Sequence, residues 1–155
     1  MEYEVKVRET VAQPIVSIRT TIPMADMPEF FGRAYGEMFG LLGELGIRPA
    51  GVPFTMYHDQ EFTVERVDME VVVPISEPAH DRGRVKAGTL PGGPVAYALH
   101  QGPFDEIAGA YRALADWVQS HGHELAGPPR ECYLVSPNET RNPAEYRTEI
   151  VWPIK

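Results

Sequence analysis

Apolar residues along this chain fall into two alternating kinds of spacing. Residues 14–21 (PIVSIRTT) form a short strand-like run. Phe31, Ala34, Tyr35, Met38, Leu41, Leu42 and Leu45 then recur at i, i+3, i+4 and i+7, the signature of one helical face. Asp26 with Glu29 resembles a capping box, Pro28 sits near the first helical position, and Gly46 is a natural stop. Two more strands are expected at about 53–58 and 66–74. The same order then returns. PVAYALHQ (94–101) reads as a strand and Pro103 as a helix start. Ile107, Ala110, Tyr111, Leu114, Trp117, Val118 and His121 mark a second helical stripe, ended by Gly122, before strands at about 130–136 and 145–153. The first ten residues alternate apolar and charged positions, also a strand pattern.

The recurrence extends to residue identity. At an offset of 76, Ala34 and Tyr35 match Ala110 and Tyr111, and Gly46 matches Gly122. Ala50, Gly51 and Pro53 match Ala126, Gly127 and Pro129, and Tyr57 matches Tyr133. After a hairpin three residues longer in the second copy, MEVVVPI (69–75) matches TEIVWPI (148–154), so Glu70 corresponds to Glu149. The expected fold is therefore α+β: tandem βαββ units forming an antiparallel sheet, with two long helices and a central ligand cleft. Repeat 1 spans about 12–75, a linker rich in turn formers about 76–93, and repeat 2 about 94–155, all within a single domain over 1–155.

Strand alternation assigns faces. Tyr146, Thr148, Ile150 and Trp152 point one way, and Arg147, Glu149 and Val151 the other. Val67, Met69, Val71 and Val73 likewise oppose Asp68, Glu70 and Val72. The more apolar set should meet the helix, which puts Glu149 and Glu70 on the far face. A carboxylate there needs a partner. Arg147, or an arginine beside Asp68, is the plain answer; a ligand cation is the functional one, with aromatic rings adding cation–π attraction. Tyr57 and Tyr133, the latter sharing a face with Glu131 and Val135, are candidate rings. Tyr35 and Tyr111 are further candidates, although their place on the apolar stripes also suits core packing.

Composition narrows the classes. The chain has 155 residues, 43% hydrophobic and 23% charged, which is globular. No apolar run approaches the ~18 residues of a membrane helix and no secretory signal is visible, so a cytoplasmic location is expected. Net charge is −8, with no basic cluster to displace counterions from phosphates, which argues against direct nucleic-acid binding. The single Cys132 excludes an internal disulfide and reads as a small buried hydrophobe. Dinucleotide, P-loop and nucleophile-elbow motifs are missing. His121 and His123 read as a polar helix end rather than metal ligands, and His100 as a surface histidine. No metal or cofactor is expected.

With the repeat, LPGGPVAYALHQGPF, AYRALADWV, AGPPRECYLVSP and TEIVWPI in view, the chain resembles the gyrase-inhibitor-like (GyrI-like) effector-binding domain, also the ligand-sensing half of many AraC-type and MerR-type regulators. The resemblance implies a duplicated βαββ fold with a cleft between its halves. It also implies that a last-strand glutamate among aromatic residues meets cationic, aromatic compounds. That glutamate falls on Glu149 and the tyrosine of the preceding strand on Tyr133; Glu70 and Tyr57 follow by symmetry. The chain starts directly with the sensor's first strand, which suits a stand-alone form. The function it points to is sensing or sequestering of a xenobiotic. One alternative is hydrolysis of cyclopropane-bearing DNA alkylators, with Glu149 or Glu70 as general base and Tyr133 as donor. Another is a surface interaction with a protein partner such as gyrase.

Overall fold

A computed structural model of the protein describes residues 3–59, 63–136 and 139–155. Residues 1–2, 60–62 and 137–138 lie outside the described residues. The elements are β1 (Lys6–Thr10), β2 (Gln13–Ile22), α1 (Met27–Leu45), β3 (Phe54–Tyr57), β4 (Val67–Pro74), β5 (Lys86–Leu90), β6 (Gly93–Gln101), α2 (Ala108–Ser120), β7 (Arg130–Val135) and β8 (Arg147–Pro153). Among the described residues, no helix is long and apolar enough to cross a membrane.

The chain divides into two compact units, Ala12–Pro91 and Met1–Val11 with Gly92–Lys155. In the first, the antiparallel strand order is β3-β4-β2-β5; in the second it is β1-β6-β8-β7. Each unit is thus the expected βαββ motif plus one strand. The added strand β5 lies in the stretch read from sequence as a linker: Lys86–Leu90 pairs with β2, and Val85 is buried. The glycines and prolines there mark the turns around a short edge strand, not an unstructured run.

The repeat is visible in geometry as well as sequence. Ala50 N–H donates to the Pro74 carbonyl at 2.8 Å, and Ala126 N–H to the Pro153 carbonyl at 2.8 Å. An added Cβ on Gly51 would lie 3.6 Å from the Pro74 ring, and one on Gly127 3.6 Å from the Pro153 ring. Isolated bridges Pro49–Ile75 and Leu125–Ile154 complete each match.

Each unit has its own core. Phe30, Ala34, Met38, Leu41 and Leu42 of α1 pack on Val16, Ile18, Val67, Met69, Val71 and Val73. Ala110, Leu114 and Val118 of α2 pack on Ala96, Ala98, Ile150 and Ile154. The strand faces read from alternation are those observed. Asp26 caps α1 and Pro28 falls in its first turn, but Asp26 makes no side-chain cap bond, and a 3-10 turn, Phe104–Glu106, precedes α2, which begins at Ala108 rather than at Pro103. Gly46, at φ 68°, closes α1 in the left-handed conformation that favours glycine.

His100 is wholly buried, not on the surface, because β6 is an inner strand whose α2-facing side is covered. Its Nε2 lies 3.0 Å from the Pro103 carbonyl, which can only accept, so Nε2 donates. Nδ1, 2.8 Å from the Tyr3 hydroxyl, then accepts from it in the neutral ring.

Candidate functional site

Cross-strand register decides which candidates meet. Tyr133 lies opposite Thr148, Glu131 opposite Ile150 and Cys132 opposite Glu149. Directly opposed residues share a face. Thr148 and Ile150 face α2, so Glu131 and Tyr133 do as well. Glu149 and Cys132 point away from it.

On the α2 side, the Tyr111 hydroxyl donates to Glu131 Oε2 at 2.5 Å. The Tyr133 hydroxyl approaches Glu131 Oε1 more loosely, at 3.4 Å. Tyr111 meets Trp152 edge to face at 5.8 Å between centroids. The Trp152 indole N–H is anchored on the Gly127 carbonyl at 3.0 Å. Phe104 packs edge-on to Tyr133 at 5.9 Å and stacks with Tyr146 at 5.0 Å. A backbone bond from Gly102 N–H to the Tyr146 carbonyl, 2.8 Å long, ties together the two turns that carry those rings.

Glu131 is therefore a carboxylate that accepts from two tyrosines, which pack in turn on Trp152 and Phe104. No lysine, arginine or histidine among the described residues hydrogen-bonds or ion-pairs with it. Burial raises its pKa above the ordinary carboxylate value, outweighing the two tyrosine hydroxyls, which lower it. It still keeps accessible surface. A partly buried carboxylate without a basic partner, beside aromatic rings, can accept a cation and hold it by charge and cation–π attraction together.

Glu149 has a different setting from the one expected. Arg8 of β1 holds it with Nη2 2.7 Å from Oε1 and Nη1 3.4 Å from Oε2, while the Arg8 guanidinium lies 4.2 Å over the Tyr97 ring. The partner is not the adjacent Arg147 but a residue 141 positions away, brought in by the pairing of β1 with β6. Cys132, beside Glu149 on that face, is half-buried, and burial pushes its thiol up to about 12.

The first unit repeats the frame without the charge. Tyr35 stacks with Phe31 at 6.2 Å, and burial pushes its hydroxyl up to about 12. Tyr57 lies opposite Met69 on the α1 side. Between them in the repeat, at the position matching Glu131, stands Thr55, a fully buried hydroxyl with no hydrogen-bond partner among the described residues. Glu70 faces away from α1, accepting from Ser17 Oγ at 2.6 Å and lying 2.9 Å from His58 Nε2. Asp68 is held by Arg19 at 2.8 and 2.9 Å.

Of the residues singled out from sequence, the structure thus gathers Tyr111 and Tyr133 on one carboxylate, but that carboxylate is Glu131. Glu149 and Glu70 each have protein partners on the opposite faces. The sequence carried a signal for Glu131: the E-x-Y spacing of RECY puts it on the face of Tyr133. What alternation alone left open was the register of β7 against β8. Phe104 and Tyr146 had no periodic signal, since both stand in turns. His121 and His123 stack on Trp117 at 4.1 and 5.7 Å. Among the described residues no group of three or more potential ligands is placed to hold a metal.

Residues 1–155 match the GyrI-like small molecule binding domain. No curated protein matches the sequence. Among solved structures, EcmrR in its DNA complex aligns with a TM-score of 0.88 at 24% identity, covering 99% of this chain and 57% of that one. The chain therefore spans a little over half of that protein's length. The isolated EcmrR C-terminal domain gives 0.82 at 24% identity, covering 100% and 99%. SAV2435 bound to tetraphenylphosphonium gives 0.64 at 17% identity, covering 100% and 94%. A hydrolase from Listeria innocua gives 0.75 at 13% identity, covering 98% and 92%. At these identities the structural likenesses establish the fold. A gyrase partner has no support in any of them.

Proposed function

This chain belongs to the GyrI-like small-molecule-binding family, and from that premise we propose that it binds a lipophilic aromatic cation at Glu131, in a role of sensing or sequestering xenobiotics. The observation that carries the reading is the carboxylate itself. Glu131 accepts from Tyr111 and Tyr133, whose rings pack on Trp152 and Phe104, and has no basic partner among the described residues. An arriving cation replaces the missing counter-charge, and each ring presented to it adds on the order of 0.5–2 kcal/mol. That one neighbour of the same fold holds tetraphenylphosphonium supports the choice of probe.

The test is titration with tetraphenylphosphonium, followed by calorimetry, against an uncharged triaryl compound of similar size. The native chain should prefer the cation, and Glu131→Gln should weaken it by about 10-fold or more, since a charge-assisted contact is worth roughly 1.5–3 kcal/mol. Glu149→Gln should stay within about threefold of the native chain, because Arg8 occupies that carboxylate. Undiminished affinity in Glu131→Gln, or a loss confined to Glu149→Gln, would place the cation elsewhere.

The short contact between Tyr111 and Glu131 favours one second reading, a carboxylate that positions water for hydrolysis of a strained alkylator. Glu149 and Glu70, held by Arg8 and by Ser17 with His58, are less suited to that task. Multiple turnovers of a cyclopropane-bearing alkylator, abolished in Glu131→Gln, would distinguish catalysis from binding.

A further inference from the structure

Among the described residues, the groups that hydrogen-bond to Glu131 are neutral. From α2 comes the Tyr111 hydroxyl, and from its own strand the Tyr133 hydroxyl. Ile150 and Thr148 stand opposite on β8, with Trp152 beyond, against Tyr111. Phe104 and Tyr146 flank Tyr133 from the two turns. His100 of β6 lies on the same face, on the far side of Thr148, with both ring nitrogens engaged by Tyr3 and Pro103. Arg130 and Cys132 alternate onto the other side of β7.

A negative charge in such surroundings costs more than a proton does. We propose that the empty site holds Glu131 as the neutral acid and that a ligand cation enters in exchange for its proton. This rests on the reading of Glu131 as the cation site and adds the means by which that site stays neutral when empty. The exchange balances simply. In the empty site Tyr111 donates to Oε2, as observed, and a proton on Oε1 is free to be donated to the Tyr133 oxygen across the looser contact. When the cation arrives, the proton passes to the buffer, both tyrosine hydroxyls donate to the carboxylate, and the charge of the site is unchanged. Burial acts in the required direction, holding the Glu131 pKa up.

The sign of the pH dependence follows. Below the pKa of Glu131 in the free protein, each pH unit lowers the competing proton tenfold, so affinity should rise about tenfold per unit. Above that pKa affinity is flat and no proton is released. A group already ionised in the empty protein would give the flat behaviour down to the ordinary carboxylate range, about pH 4.

Tetraphenylphosphonium carries a fixed charge, so any proton that appears on binding comes from the protein. Calorimetric titrations at one pH in phosphate and in Tris, buffers of very different ionisation heat, count it. The expected result is release of about one proton per ligand on the acid side, fading to none as pH rises, while Glu131→Gln abolishes the difference between buffers. Tight binding with identical heats in both buffers across the range would overturn the exchange and leave the cation site standing. Absence of binding, or full binding by Glu131→Gln, would overturn both. Independently of any ligand, the Glu131 carboxyl carbon, assigned by its loss in Glu131→Gln, should titrate above the ordinary range in the free protein. A midpoint near 4 would sink the proposal on its own.

Discussion

At the scale of single residues, two glutamates on neighbouring strands have opposite electrostatic fates. Glu149 sits beside an arginine that itself lies on a tyrosine ring, whereas Glu131 accepts from two tyrosine hydroxyls and has no basic partner among the described residues. The difference has a consequence for stability. Because burial raises the Glu131 pKa, the folded chain binds that proton more tightly than the unfolded chain does. The stability this confers is fully present below the unfolded value, about 4.3, and is lost as pH rises through the folded value. Glu131→Gln removes the titration. It should match the native chain near pH 4 and exceed it at pH 8 in urea denaturation. A variant less stable than the native chain at pH 8 would mean that the ionised carboxylate is welcome in the fold. Residues kept for binding are often unfavourable for stability, and Glu131 would be such a case.

At the scale of elements, the chain advertises its helices and strands plainly but not their edges. Seven apolar residues at helical spacing located α1, and the alternation of Thr148, Ile150 and Trp152 located the core face of β8. The start of α1 was read correctly, with Asp26 at the cap and Pro28 in the first turn, but Asp26 adopts a helical conformation and leaves its side chain unused, and α2 starts later than Pro103 suggested. The strand β5 was missed because its KAGTL run is short and polar, as an exposed edge strand is. The candidate site was half legible: both tyrosines came from the repeat, while Glu131 needed a register that one strand's alternation does not supply. Glycines in α1 separate two roles. Gly46, at φ 68°, sits where a Cβ is strained, so Gly46→Ala should cost about 1 kcal/mol. Gly43 is exposed in the helix interior with open space around its Cα, so Gly43→Ala should gain roughly 0.5–1 kcal/mol. Opposite signs in thermal denaturation are the expected outcome, and equal signs would contradict the assigned cap.

At the scale of the whole molecule, sequence order and structural membership part company. β1 and β2 are separated by only two residues, yet β1 belongs with β6 in the unit that also contains α2, while β2 belongs with β4 and β5. One unit is a single continuous segment, Ala12–Pro91, and the other is assembled from both ends of the chain. The first eleven residues supply three things to that second unit: the ladder from Lys6–Tyr97 to Thr10–Gly93, the Tyr3 hydroxyl on His100, and the Arg8 guanidinium on Glu149. Removing them leaves β6 with an open edge, a buried imidazole short of one partner and a carboxylate without its counter-charge, whereas every strand that pairs with β2 remains. Deletion of residues 1–11 should therefore speed amide exchange along Gly93–Gln101 by at least about tenfold, the equivalent of ~1.4 kcal/mol of easier local opening. Exchange along Gln13–Ile22, although nearer in sequence to the cut, should change much less. The site would feel the same loss, because β6 pairs with β8 and β8 carries Thr148 and Ile150 opposite Tyr133 and Glu131. Tetraphenylphosphonium affinity should fall in the deletion and be spared in Arg8→Gln, which removes the ion pair but keeps the strand. Faster exchange in β2 with β6 still protected would show that the N-terminal strand supports its sequence neighbour instead, and the division of the chain into these two units would have to be redrawn.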